Sequence, residues 1–240
     1  FRSGVGNVAN AVLTAMARDS LQEPVSLFTE VIQEAVFELI KADKLVGASG
    51  TALTCSASAR EYFKQNAQTL KQKFVLRSQE VSNHPEVIRR LGVISMNTAL
   101  ECDIFGNVNS SHVCGSSIMN GIGGSADFSR NCLLGFFMTP STAKDGAISA
   151  IVPFVTHLDH SDHETHIFVT EQGLADLRGL DPVSRAHKII ENCAHPDYRQ
   201  QLKDFLDYSM RIAKGKHIPF ALDRAFNMHL NFIAKGTMKE

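Results

Sequence analysis

Val25-Ser-Leu-Phe28, followed by Thr29-Glu30 and then Val31-Ile32-Gln33-Glu34-Ala35-Val36-Phe37-Glu38-Leu39-Ile40, is the stretch that sets the fold class. The first four residues read as a short strand. Val31-Ile32, Ala35-Val36 and Leu39-Ile40 then recur at helical spacing, so the period changes from strand to helix about Glu30. The alternation continues outward in both directions. Residues 4–18 pass from glycine-rich to Ala/Val/Leu-rich, a tight turn leading into a helix. Residues 46–53 are small and read as a buried strand or a loop of close approach, 58–72 as a polar exposed helix, and 73–77 as a strand. Pro85 suits the first turn of a helix carrying Val87, Ile88 and Leu91, with Ser82 or Asn83 near its cap. Gly92-Val-Ile-Ser-Met-Asn97 reads as a strand, and residues 101–109 as a hairpin turning at Gly106-Asn107. A helix through Arg130 and strands at 134–138, 150–155 and 167–170 follow; beyond 180 the pattern is helical at 183–193, 197–214 and 221–235. Strands alternating with helices predict an α/β fold. We expect an open, mostly parallel twisted sheet with flanking helices, a β-hairpin insertion and a helical C-terminal cap, divided into an α/β domain over 1–180 and a helical extension over 181–240 packed on it.

Composition agrees with a globular chain. Its 240 residues are 44% hydrophobic and 20% charged, which suits one large domain or two small ones and opposes disorder. A net charge of −1 leaves no basic footprint for nucleic acid. No apolar run approaches the roughly 20 residues of a membrane-spanning helix. The chain opens at Phe1 with neither Met nor a leader pattern, so a piece of a longer protein is expected.

Five cysteines, an odd number without a C-x-x-C pair, encode neither a disulfide framework nor a zinc ribbon. Reduced thiols fit best, and each is a small buried hydrophobe or a catalytic thiol. His157-Leu-Asp-His160-Ser-Asp-His163-Glu-Thr-His166 holds four histidines at three-residue intervals, interleaved with Asp159, Asp162 and Glu164. Such donors suit a metal. The segment also joins two strand-like runs, where a polar loop of His, Asp and Ser is ordinary, and no distant partner ligand is evident; no metal site is assigned.

Asn120-Gly-Ile-Gly-Gly-Ser-Ala-Asp-Phe128 is the densest glycine cluster. Gly121, Gly123 and Ala126 pass as a G-x-G-x-x-A dinucleotide fingerprint, although no clear strand precedes them. The cluster reads equally as a left-handed turn before a helix or as amides presented to an anion or oxyanion. Glu30 also has two readings. A glutamate in a helix's first turn meets the macrodipole favourably. A carboxylate where a strand ends is also placed for ligands, and it attacks a carbonyl without a general base.

Phe28-Thr-Glu-Val-Ile-Gln33, Ser82-Asn-His-Pro-Glu-Val-Ile-Arg-Arg-Leu-Gly-Val93, the glycine cluster, Thr170-Glu-Gln-Gly-Leu-Ala-Asp-Leu-Arg-Gly-Leu180 and Cys193-Ala-His-Pro-Asp-Tyr198 stand in that order. Together they closely resemble the acetyl-CoA hydrolase/succinyl-CoA:acetate CoA-transferase family, over nearly the whole chain. The resemblance implies a CoA-transferase-like C-terminal domain whose N-terminal partner domain supplies further substrate contacts. It implies that Glu30 is the nucleophile, attacking an acyl-CoA thioester and later carrying CoA as a glutamyl thioester. Asn83 and the Gly124 N–H would stabilise the oxyanions, with Gly121, Gly123 and Gly124 as the glycines that meet CoA. The substrates implied are acetyl- or succinyl-CoA with acetate or succinate; CoA enters as a substrate thioester, with no tightly bound cofactor. A homodimer is expected, in mitochondria for a eukaryotic member, as the closing Lys235-Gly-Thr-Met-Lys239 suggests, and in the cytoplasm for a bacterial one. Acetyl-CoA hydrolysis, a catalytically inert domain and a nicotinamide-dependent oxidoreductase are the competing readings.

Overall fold

The computed structural model describes residues 1–4 and 6–240; Val5, inside the turn expected at 4–18, lies outside them. The chain divides into two compact units, one of Phe1–Thr98 with Gly124–Gly135, the other of Ala99–Gly123 with Phe136–Glu240. The expected α/β class holds, with parallel strand pairing predominating across several short sheets.

In the first unit, Leu45–Gly50 is the central strand of a parallel sheet, flanked by Val25–Phe28 and Phe74–Leu76. A second parallel pair joins Val31–Gln33 to Ala52–Thr54. Here the sequence expectation needs correcting. Glu30 does not open a helix, because Val31 and Ile32, stiff β-branched residues, extend and pair with Ala52 and Leu53; the helix starts only at Val36–Lys41. The polar helix expected at 58–72 is two pieces, Ala57–Gln65 and Ala67–Leu70. Ser56 caps the first through its hydroxyl. Phe37 packs on Tyr62, Phe63 and Phe74, with ring centroids 5.4, 6.4 and 6.1 Å apart, which fixes Val36–Lys41 against that helix and the sheet. Arg2–Ser3 pairs in parallel with Ile94–Thr98, and helix Asn7–Ala15 follows it.

The second unit has the larger core. Glu101–Asp103 pairs in parallel with Ile151–Val152 and folds back on Val108–Asn109, as the hairpin reading expects; Gly106 turns at φ +102°. Phe136, Phe137 and Met138 pair in parallel with Ile167, Phe168 and Val169. Ile167–Thr170 also pairs antiparallel with Gly173–Asp176, a strand not foreseen in the sequence. Two further short hairpins, at 112–118 and 142–149, were likewise not foreseen. Helices Pro182–Cys193 and Pro196–Ile212 bury Ile189, Ile190, Tyr198, Leu202 and Leu206 in the core shared with Phe137, Ile151 and Phe168. Both begin with proline at the first turn, capped by Asp181 and His195. The third helix of the expected cap spans Asn227–Lys235, shorter than 221–235, and Gly236 in the left-handed region ends it.

Candidate active site

Three of the residues singled out in the sequence meet at one point of the first unit, and the chain on either side of each explains why. Thr29 N–H donates to Ser49 O (2.9 Å), and Glu30 O accepts from Thr51 N–H (2.7 Å), so the bend at Glu30 is pinned on both sides. The buried Thr29 hydroxyl donates to Ser3 O at 3.0 Å. Gly50 allows this approach: a Cβ there would stand 2.9 Å from Ile32 Cγ1 and 3.1 Å from Glu30 O. The half-buried Glu30 side chain therefore leaves a fixed backbone that belongs to no helix.

Gly124 precedes helix Ser125–Asn131, and its N–H donates to Glu30 Oε2 at 2.6 Å. Its own φ of −82° is open to any residue, so space is what demands glycine here. A Cβ would lie 2.4 Å from Asn83 Nδ2, 2.7 Å from Glu30 Oε2 and 3.1 Å from Glu30 Cδ. Glu30, Asn83 and Gly124 thus converge within contact distance. Gly123 supplies the left-handed turn at φ +53°, while Gly121 is exposed and a Cβ there would meet nothing within 4 Å. Both belong to the second compact unit. Gly124→Ala is expected to lower turnover about 10²-fold, because the methyl displaces the carboxylate and the amide together; steady-state kinetics checks this, and a turnover within threefold of wild type refutes it.

Asn83 ends helix Gln79–Ser82 and is buried. The capping role expected of Ser82 or Asn83 falls instead to His84, whose Nδ1 accepts from Glu86 N–H at 3.3 Å ahead of Pro85. That correction matters for the site, since it leaves the Asn83 amide free of capping. Its Nδ2 donates to Asp127 Oδ2 at 3.0 Å. Gln79, Glu80, Asn83, His84, Pro85 and Asp127 line a cleft of about 380 Å³.

Two residues of this neighbourhood escaped the sequence reading. Asp127 sits three residues beyond Gly124 in the first turn of its helix, a position that the glycine cluster itself marks. Arg2 is buried and lies beside the ring of Phe128 (5.0 Å from Cζ to the centroid). Its Nη1 donates to Met96 O and Asn97 Oδ1. Burial lowers its pKa to about 10, against the opposing pull of Glu30, Cys132 and Asp127. The guanidinium stays charged and balances the two carboxylates. Nothing in the sequence around Arg2 distinguishes it from a surface arginine.

Elsewhere the candidates disperse. All five thiols are free, and burial raises each pKa, Cys132 to about 11 and Cys193 to about 12, so none is activated as a nucleophile. In the histidine-rich segment, His157 stacks on His112 with centroids 3.8 Å apart, and buried His160 packs on Phe137 at 4.8 Å. Among the described residues no three His, Cys, Asp or Glu side chains converge as a metal-binding group. The glycine cluster follows a two-residue antiparallel strand, Ser117–Ile118, not the parallel strand a dinucleotide fingerprint requires. No helix among the described residues is long and apolar enough to cross a membrane.

Residues 60–206 match the family model described as the acetyl-CoA hydrolase/transferase C-terminal domain. The chain is 50% identical over 239 residues to the succinyl-CoA:acetate CoA-transferase of Clostridium kluyveri, covering 100% of this chain and 44% of that protein. It is 45% identical over 246 residues to the acetyl-CoA hydrolase of Schizosaccharomyces pombe, covering 100% of this chain and 47% of that one. Among solved structures, RipA from Yersinia pestis superposes with a TM-score of 0.73 at 28% identity, over 85% of this chain and 48% of that one. The chain therefore spans about half the length of the relatives it matches.

Proposed function

The chain belongs to the acetyl-CoA hydrolase/transferase family, and we propose that it carries the nucleophile of an acyl-CoA:carboxylate CoA-transferase, with Glu30 in that role. One observation carries the reading: the Gly124 N–H meets the Glu30 carboxylate at 2.6 Å, where Asn83 Nδ2 also converges. A carboxylate held by one neutral donor, with a second neutral donor beside it, is an arrangement for passing acyl groups through oxyanions. Each donor preset where charge develops is worth about 3–4 kcal/mol of barrier.

In this mechanism a Glu30 oxygen attacks the thioester carbonyl of an acyl-CoA, and the C–S bond breaks to give an acyl-glutamyl anhydride and CoA thiolate. The thiolate then attacks the glutamyl carbonyl, releasing the acyl group as a carboxylate and leaving a Glu30–CoA thioester. An acceptor carboxylate attacks that thioester, expelling CoA thiolate and forming a second anhydride. The thiolate takes the new acyl group, and the Glu30 carboxylate is restored. The preferred pair is an acetyl- or succinyl-CoA with acetate or succinate, following the C. kluyveri relative's name. The remaining half of the relatives' length is where further contacts to the acyl group and acceptor carboxylate belong in the whole enzyme.

Hydrolysis differs in one step only: water, instead of a carboxylate, takes the glutamyl thioester. The S. pombe relative's name favours it as the second reading. Incubating the full-length enzyme with acetyl-CoA, without acceptor, is expected to add one CoA moiety to the peptide containing Glu30, read by mass spectrometry. Added succinate should then discharge it to succinyl-CoA. Absence of the adduct from a folded, active enzyme overturns the glutamyl-thioester mechanism, and discharge at the same rate without succinate identifies a hydrolase.

A further inference from the structure

The Asn83 amide has two ends of nearly the same shape and opposite polarity. With Nδ2 toward Glu30 it offers a donor. With Oδ1 there it sets a lone pair against a carboxylate and against any oxyanion formed on it. Something must hold the first orientation. Asn83 Oδ1 is buried and has no hydrogen-bond partner among the described residues, and the helix cap beside it is filled by His84.

We propose that Asp127 is a positioning residue that fixes the Asn83 amide with its donor toward Glu30. This rests on the transferase reading given above. A carboxylate accepts hydrogen bonds and donates none, so only the Asn83 NH₂ group can face Asp127 Oδ2, which it meets at 3.0 Å. One N–H is spent on that contact. The second sits on the same nitrogen, at the point where a Gly124 Cβ would be 2.4 Å away and Glu30 Oε2 lies 2.7 Å from that Cβ position. Asp127 and Gly124 also share the start of one helix, Gly124 as its N-cap and Asp127 in its first turn. The two donors, one backbone and one side chain, are thereby tied to a single rigid segment.

Asp127 brings a second negative charge into a site that must stabilise oxyanions. Arg2, buried and coupled to both Glu30 and Asp127, offsets it. This opposition gives the proposal its test, because charge and positioning predict opposite signs. If Asp127 acted only through its charge, neutralising it would ease oxyanion formation and raise the rate. If it orients Asn83, neutralising it slows the rate. Asp127→Asn retains the shape and can still accept through Oδ1, but no longer forbids the reversed amide.

In the full-length enzyme, Asp127→Ala is expected to lower kcat about 10²-fold while the KM for acyl-CoA stays within about threefold, and Asp127→Asn to lower kcat about tenfold. The Asn83→Ala/Asp127→Ala double variant should be no slower than Asn83→Ala alone, since the two act as one unit. Asp127→Asn, which preserves the fold, carries the test if Asp127→Ala does not fold. An unchanged or raised kcat in Asp127→Asn overturns the proposal, as do losses that multiply in the double variant. Glu30→Ala separates the two levels: if it retains full activity the transferase reading fails, whereas an inactive Glu30→Ala beside a fully active Asp127→Asn removes only the role of Asp127.

Discussion

Glu30→Ala in the full-length enzyme is expected to lose at least about a thousandfold in kcat, with no CoA adduct on the protein. The size of the effect follows from what the side chain does at every step. In the proposed mechanism it forms the anhydride, carries CoA and is regenerated, so its removal eliminates the covalent route and not merely one stabilising contact. Glu30→Gln is the sharper variant. Its amide oxygen can still accept from the Gly124 N–H now bonded to Glu30 Oε2 at 2.6 Å, so the neighbourhood stays filled. An amide is nonetheless far too weak a nucleophile to attack the thioester. A kcat within tenfold of wild type for either variant, measured by exchange of CoA between acetyl-CoA and succinate, removes Glu30 from the chemistry.

The residues that make this prediction possible were legible in the sequence to different degrees. Glu30 was visible as the point where the strand pattern of Val25-Ser-Leu-Phe28 ends. Its local structure was misread, because Val31-Ile32 followed by Ala35-Val36 fits helical spacing, while the pairing of Val31–Gln33 with Ala52–Thr54 is a long-range event that overrides it. By glycine content and spacing alone Gly124 is indistinguishable from its neighbours in the cluster, and only the family resemblance singles it out. The backbone angles separate them: Gly123 needs left-handed freedom, Gly124 needs only the absence of a Cβ. The cap expected of Ser82 or Asn83 is provided by His84, and the same His-Pro pattern recurs at His195-Pro196. That repetition was available in the sequence. The position of Asp127 was marked only by the glycine cluster before it and that of Arg2 by nothing, since their significance lies in which side chains the fold brings beside them. The helices beyond residue 180 were the easiest to read, having clear proline starts and apolar spacing, whereas strands two residues long, such as Ser117–Ile118, carry too few residues for any period.

His229→Ala is expected to destabilise the second compact unit by about 3–5 kcal/mol. His229 and Glu101 are both buried, 128 positions apart in sequence, and join helix Asn227–Lys235 to strand Glu101–Asp103 through Nε2 and Oε2 at 2.8 Å. Glu101 Oε1 already accepts from Asn109 Nδ2 at 2.9 Å and from the Thr156 N–H and hydroxyl at 2.7 and 2.8 Å. Removing the imidazole therefore strands one carboxylate oxygen in the interior. Burial alone would push the Glu101 carboxyl up, but the hydrogen bond and charge of His229, with Asn109 and Thr156, outweigh it and hold the group below its ordinary value. The sign of the pH dependence follows. A carboxyl depressed in the folded state adds stability above its unfolded pKa, near 4.5, and that stability is lost as pH falls through the folded value. Wild type should hold its stability down to about pH 4.5 and weaken below it, whereas in His229→Ala, with the carboxyl pushed up by burial, the deficit is largest above the raised folded value and should shrink as pH falls through it. His229→Gln keeps a donor toward Oε2 and should recover part of the loss. Denaturant unfolding at pH 7 and pH 5 checks all three. A difference below about 1 kcal/mol between His229→Ala and wild type at pH 7 shows that the pair is no better than a surface contact.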